Sequence, residues 1–116
     1  MEKNSPLDKQ NEQEPQLPLD RIFNTSAAKV LDFLLLNRDF DYSESDISKT
    51  AMIPYRTLQR TLPKLVEEKL VIQTRKSGRS YMYEANMDSK RTQTLLQYVK
   101  ETMNENLNQL EMIKIT

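Results

Sequence analysis

The chain has 116 residues, 37% of them hydrophobic and 29% charged, which allows one domain with a modest core and polar extensions. It contains neither cysteine nor histidine, which excludes disulfides, thiolate-based metal sensing, the usual zinc sites and any imidazole or thiol catalyst. Seventeen basic and seventeen acidic residues cancel to a net charge of zero, and no apolar run approaches the ~18 residues of a membrane span.

Residues 1–19 are rich in Glu, Gln, Asn, Lys and Asp, with Pro6, Pro15 and Pro18 among them. They cannot bury enough apolar surface to offset the entropy of ordering, so a flexible tail is expected, its end docked through Leu17, Leu19, Ile22 and Phe23. The polar amino terminus carries no apolar signal region, so a cytoplasmic protein is expected.

A first helix is expected to start at a cap within Asn24–Ser26 and to run through AAKVLDFLLLN to about Asn37, with Leu31, Leu34 and Leu35 on one face beside Ala27 and Ala28. The segment 38–42 reads as a loop, or as a very short strand pairing with a later hairpin. Ser43 followed by Asp46 resembles a capping box and opens a two-turn helix through Thr50, with Ile47 and Ala51 pointing inward. Pro54 sits where a third helix begins. At ~100° per residue, Leu58, Leu62, Leu65, Val66 and Lys69 share one side of that helix, and Arg56, Gln59, Arg60, Pro63 and Lys64 share the other. Pro63 removes a backbone hydrogen bond within the helix, and the unbroken apolar stripe predicts one kinked helix rather than two.

Leu70–Thr74 then reads as a strand, 75–79 as a turn built on Ser77 and Gly78, and Ser80–Ala85 as the return strand. Gly78, the only glycine, supplies the positive φ of the turn. Tyr81 and Tyr83 alternate along the return strand and are expected to pack against helices. A long final helix is expected from a cap at Asp88 to about Ile113.

The neutral total hides an uneven distribution. Residues 25–46 hold two basic side chains (Lys29, Arg38) against five acidic ones (Asp32, Asp39, Asp41, Glu44, Asp46), a net of −3. Residues 47–83 hold eight basic side chains (Lys49, Arg56, Arg60, Lys64, Lys69, Arg75, Lys76, Arg79) against Glu67 and Glu68, a net of +6. Such a local field attracts a polyanion whatever the total charge.

The stretch from Ser43 to Tyr83 resembles the winged helix-turn-helix of small prokaryotic transcription regulators of the MarR, ArsR and PadR kinds. The motif carrying the resemblance is TLQRTLPKLVEEKLVIQTRKSGRSYMY, a recognition helix ending in an "L..L.E.GL" phrase and followed by a charged wing. Two positions depart from the pattern, with Met52 and Lys69 standing where such proteins often carry glycine. The resemblance implies a mainly α fold with a small β-hairpin (α+β), a recognition helix over about 54–69 in the major groove and a wing over 75–80 on the minor groove or backbone.

Arginine suits guanine O6 and N7, and glutamine suits adenine N6 and N7, which makes Arg56, Gln59 and Arg60 the expected base readers. Tyr55 and Thr57 are expected to reach bases or phosphates. Lys64, Lys49, Ser43 and Ser45 are expected phosphate contacts, with Arg75, Lys76 and Arg79 completing the footprint from the wing.

In the terminal helix the apolar positions Leu96, Val99, Met103, Leu107, Leu110 and Ile113 form a stripe longer than a small domain can cover. A two-fold partner supplies the missing surface, and Asn106 sets register. The expected organisation is a tail over 1–19, a winged domain over 20–86 and a dimerisation helix over 87–116. The partners expected are double-stranded DNA and a second copy of the chain, with no membrane, no metal and no cofactor, and with any small-molecule effector left open. Nothing in the chain resembles a phosphate loop or a catalytic carboxylate pair, so an enzyme is not expected. The alternatives are a winged-helix protein-interaction adaptor and a DNA-segregation or architectural protein.

Overall fold

A computed structural model describes residues 17–115, with side chains through residue 108. Among these residues the elements run α1 (Pro18–Phe23), α2 (Ser26–Leu36), β1 (Tyr42–Ser43), α3 (Glu44–Ala51), α4 (Tyr55–Glu67), β2 (Val71–Ser77), β3 (Ser80–Ala85) and α5 (Lys90–Ile115). The antiparallel sheet has the order β1-β3-β2, so the short strand before α3 pairs with the return strand of the hairpin. None of the described helices is long and apolar enough to cross a membrane.

The helix α1 lies where the sequence predicted the end of a tail. Pro18 opens it, its missing N–H costing nothing in a first turn. No local side chain caps it. The amides of Leu19 and Asp20 instead donate to the two carboxylate oxygens of Asp32 in α2, each at 2.9 Å, and Lys29 Nζ meets Asp20 Oδ1 at 2.9 Å. Leu19 docks as expected, whereas Leu17, Ile22 and Phe23 are exposed. The predicted tail residues 1–16 lie outside the described residues.

The three central helices form where their caps and periodicity predicted. Thr25 caps α2 by accepting from the Ala28 amide at 3.1 Å, and Ser43 caps α3 by accepting from the Asp46 amide at 3.1 Å. Val30, Leu31, Leu34 and Leu35 of α2, Ile47 of α3, and Leu58, Leu62 and Leu65 of α4 are buried in one core with Val71, Tyr83 and Ala85 of the hairpin. Phe33 and Tyr42 close its edge as a tilted ring pair with centroids 4.8 Å apart. Val66, expected on the inner stripe of α4, is exposed instead. Pro54 precedes α4 rather than opening it, and its carbonyl accepts from the Leu58 amide. The helix then continues through Pro63, which is exposed on the outer side and leaves the Gln59 carbonyl without its helical donor.

Met52 and Lys69 take the role that the family pattern gives to glycine. Both have left-handed backbones, with φ of 58° and 65°. At Met52 the Ser48 carbonyl receives the Met52 and Ile53 amides, and the Ser48 hydroxyl donates to the Ile53 carbonyl. At Lys69 the chain leaves α4 in a Schellman motif, with Leu70 N bonded to Leu65 O and Lys69 N bonded to Val66 O. An L-residue held there costs on the order of 1 kcal/mol. Met52 is 81% exposed, so its side chain contributes little in return. Met52→Gly and Lys69→Gly are each expected to leave stability unchanged or to raise it by up to about 1 kcal/mol in urea denaturation. A loss of more than that at either position would contradict the strain assigned to it.

The hairpin is longer than predicted. β2 runs to Ser77, so the connection shrinks to Gly78 and Arg79 between the paired Ser77 and Ser80. Gly78 has φ of 62° and Arg79 does not share the positive sign, the pattern of a type II′ turn. A bulge at Thr74 shifts the register, with Gln73 opposite Tyr83 but Arg75 opposite Met82. Tyr83 joins the core as expected, while Tyr81 is exposed.

The final helix α5 is capped by Ser89, one residue after the expected Asp88, through the Thr92 amide. Its stripe divides in two. Leu96 and Val99 are 9% and 0% exposed within the chain's own core, whereas Met103 and Leu107 are 38% and 58% exposed. Leu110 and Ile113 lie outside the described side chains.

Candidate nucleic-acid interface

The burial of Leu58, Leu62 and Leu65 fixes the roll of α4 and turns Arg56, Gln59, Arg60 and Lys64 outward, all exposed. None of the three cations has an ion-pair partner among the described residues. Ser45 and Lys49 are exposed on α3, Ser45 in its first turn and Lys49 in its last, next to the turn that leads into α4.

Three expected contact residues are engaged within the chain. The Ser43 hydroxyl is the α3 cap. The Tyr55 hydroxyl donates to Glu44 Oε1 at 2.7 Å, linking the start of α4 to the first turn of α3. That carboxylate holds the phenol proton and moves the Tyr55 pKa upward. Arg75 is held most firmly, with Nε at 2.9 Å from Asp41 Oδ2 and an Nη at 3.1 Å from Oδ1. Thr74 Oγ1 donates to the same carboxylate.

The bulge makes this pairing possible. Regular alternation would set Arg75 on the face of Gln73, and the extra residue Thr74 transfers it to the opposite face with Met82. Lys76 is then paired with Tyr81, and its ammonium lies 5.6 Å from the ring centroid. Lys76 and Arg79 are therefore the wing cations left without an acidic partner among the described residues. Thr57 is half-buried, on the flank of α4 that also carries Arg60 and Lys64.

Asp41 and Glu44 were absent from the expected site, although both orient its side chains. Asp41 stands 34 positions from Arg75, and no local pattern reports such a pair. The Arg75 hydrogen bond, with help from Thr74, pulls the Asp41 carboxyl from 3.8 down to about 2. A depressed folded-state value contributes stability above the unfolded value, and that contribution disappears as the pH falls from about 4 toward 2. Carboxylate NMR titration is expected to find Asp41 still ionised at pH 3 in the wild type, and to find it back in the ordinary range in Arg75→Ala.

The helix–turn–helix of α3 and α4, closed by a bulged hairpin, defines a winged helix-turn-helix fold. No family model and no curated protein matches the chain. Solved structures do. The adhesin competence repressor AdcR of Streptococcus pyogenes is 16% identical, with a TM-score of 0.61 over 97% of this chain and 76% of that one. Lactococcus lactis ZitR in complex with DNA is 10% identical, with a TM-score of 0.62 over 95% of this chain and 76% of that one. A homodimeric winged helix-turn-helix DNA-binding domain from Mycobacterium bovis is 17% identical, with a TM-score of 0.52 over 92% of this chain and 90% of that one. At these identities the likeness establishes the fold.

Proposed function

We propose that this chain is a cytoplasmic, sequence-specific double-stranded DNA-binding protein that acts as a homodimeric transcriptional regulator, a binding protein and not an enzyme. The observation that carries this reading is the outer face of α4, where Arg56, Gln59, Arg60 and Lys64 stand exposed, followed in the chain by the exposed wing cations Lys76 and Arg79. A protein of zero net charge has no general reason to leave six polar, mostly cationic side chains exposed along one helix face and the hairpin that follows it. Double-stranded DNA supplies one, with α4 reading base edges in the major groove and the wing lying on the minor groove or backbone. The ZitR structure, solved with DNA, supports the same use of this fold.

The dimer rests on α5. Twenty-six residues at ~1.5 Å each extend about 39 Å, and the core takes only Leu96 and Val99 from the described part of the stripe. Met103 and Leu107 beyond them remain open to a second copy, as do Ile22 and Phe23 of α1. The homodimeric M. bovis domain supports this arrangement. Two recognition helices about 34 Å apart then fit a palindromic site.

The experiment is selection of bound duplexes from a random pool, followed by affinity measurements across salt. A palindromic site is expected, with log K falling by ~0.9 per neutralised phosphate against log salt. Equal affinity of the wild type and an Arg56→Ala/Arg60→Ala variant for every duplex tested would sink the proposal.

A further inference from the structure

Beside the outer face of α4 lies a cleft of about 460 Å³ between that helix and the start of α2. Its polar wall comes from Thr25, Ser26, Thr57, Arg60, Thr61 and Lys64, and among the described residues it contains no carboxylate. Arg60 and Lys64 are one helical turn apart on the same flank of α4, so their charges converge on one volume. Neither is paired with an acid among the described residues. The Thr61 hydroxyl is turned to the Thr57 carbonyl and the Thr25 oxygen to the Ala28 amide, whereas no side-chain hydrogen bond engages Ser26 among the described residues.

We propose that this cleft seats a stretch of the DNA sugar–phosphate backbone, with Arg60 and Lys64 clamping a phosphate and Ser26 donating to it from the opposite wall. This inference rests on the DNA-binding reading above and changes one of its assignments, because Arg60 becomes a backbone contact and base reading passes to Arg56 and Gln59. Two converging cations without a carboxylate select an anion. Volume separates the sources of that anion. At about 460 Å³ the cleft is an open groove, larger than a lone phosphate ion fills, and it opens beside the helix that would lie in the major groove. A backbone strand running past α4 fits both facts. Ser26 and α2 thereby join the DNA-contacting surface, a role that α2 does not have if its only task is to supply core.

The test uses Ser26→Glu in the full chain. An acid in the first turn of α2 favours the helix dipole, so the fold is retained and the melting temperature is expected to hold or rise slightly. The same carboxylate neutralises the clamp. Affinity for the selected site and for random duplex is expected to fall alike, by about tenfold at low salt, with the salt slope reduced by ~0.9 for each phosphate lost. Lys64→Gln is expected to move both duplexes in the same direction. Unchanged DNA affinity in Ser26→Glu would overturn the inference. So would a loss confined to the selected site, or inorganic phosphate shifting the Ser26 and Ala27 amide resonances while Ser26→Glu binds DNA like the wild type. Failure of the wild type to bind any duplex would remove the DNA reading as well, whereas wild-type binding with an indifferent Ser26→Glu removes this inference alone.

Discussion

Asp32→Ala is expected to destabilise the fold by about 2–4 kcal/mol, a large part of the 5–15 kcal/mol that holds a domain of this size together. The Asp32 side chain is fully buried, and its two oxygens receive the amides of Leu19 and Asp20. Those amides belong to the first turn of α1, where no helical carbonyl is available to them. Alanine leaves both N–H groups buried and unpaired, each at ~1–3 kcal/mol. Burial pushes the Asp32 carboxyl above the ordinary carboxylate range, while the two amides pull it back. The carboxylate's own desolvation is thus only partly recovered, and Asp32→Asn, which keeps one acceptor without the charge, is expected to fall between wild type and alanine. Urea denaturation and hydrogen exchange at Leu19 and Asp20 measure the two consequences. Exchange in the alanine variant is expected to rise first in α1, because α1 docks only the apolar side chains of Pro18 and Leu19 and is otherwise held by this cap and the Lys29–Asp20 ion pair. Stability equal to wild type with protected α1 amides would remove the capping role of Asp32.

Why α1 escaped the sequence, when α2, α3 and α4 did not, follows from the same geometry. Thr25 and Ser43 cap their helices from the adjacent position, and the core leucines of α4 recur at helical spacing, so the signal is local. The cap of α1 stands 12 and 13 residues away, behind a six-residue helix too short to show a period. The candidate interface divides in the same manner. The faces of α4 follow from periodicity, and Arg56, Gln59, Arg60 and Lys64 stand where the spacing put them. Arg75 does not, because a single bulged residue reverses strand parity and an aspartate from a distant loop captures the guanidinium. The stripe on α5 reads as uniform for a related reason. Nothing in an apolar repeat marks where the core of the domain ends, and here it ends between Val99 and Met103.

Arg56 is expected to give the largest effect on DNA recognition. It lies in the first turn of α4, exposed, without an ion pair among the described residues, and one helical turn from Gln59. A bidentate arginine–guanine contact is worth ~1–3 kcal/mol of discrimination, so Arg56→Ala is expected to weaken the selected site about tenfold or more in each half-site. Binding to random duplex should change little, since the phosphate contacts that supply it come from Lys64, Lys76, Arg79 and the cleft. The ratio of specific to random affinity therefore collapses in Arg56→Ala, whereas it is preserved in Arg79→Ala, which weakens both. Gln59→Ala should relax the preference at a neighbouring position. In a homodimer on a palindrome each substitution acts twice, so the loss measured on a full site should be close to the square of that on an isolated half-site, and light scattering should find two chains per duplex. A single chain at micromolar concentration would remove the homodimer, and an Arg56→Ala protein whose specific and random affinities fall in parallel would move α4 out of the major groove and leave the cationic face with backbone contacts only.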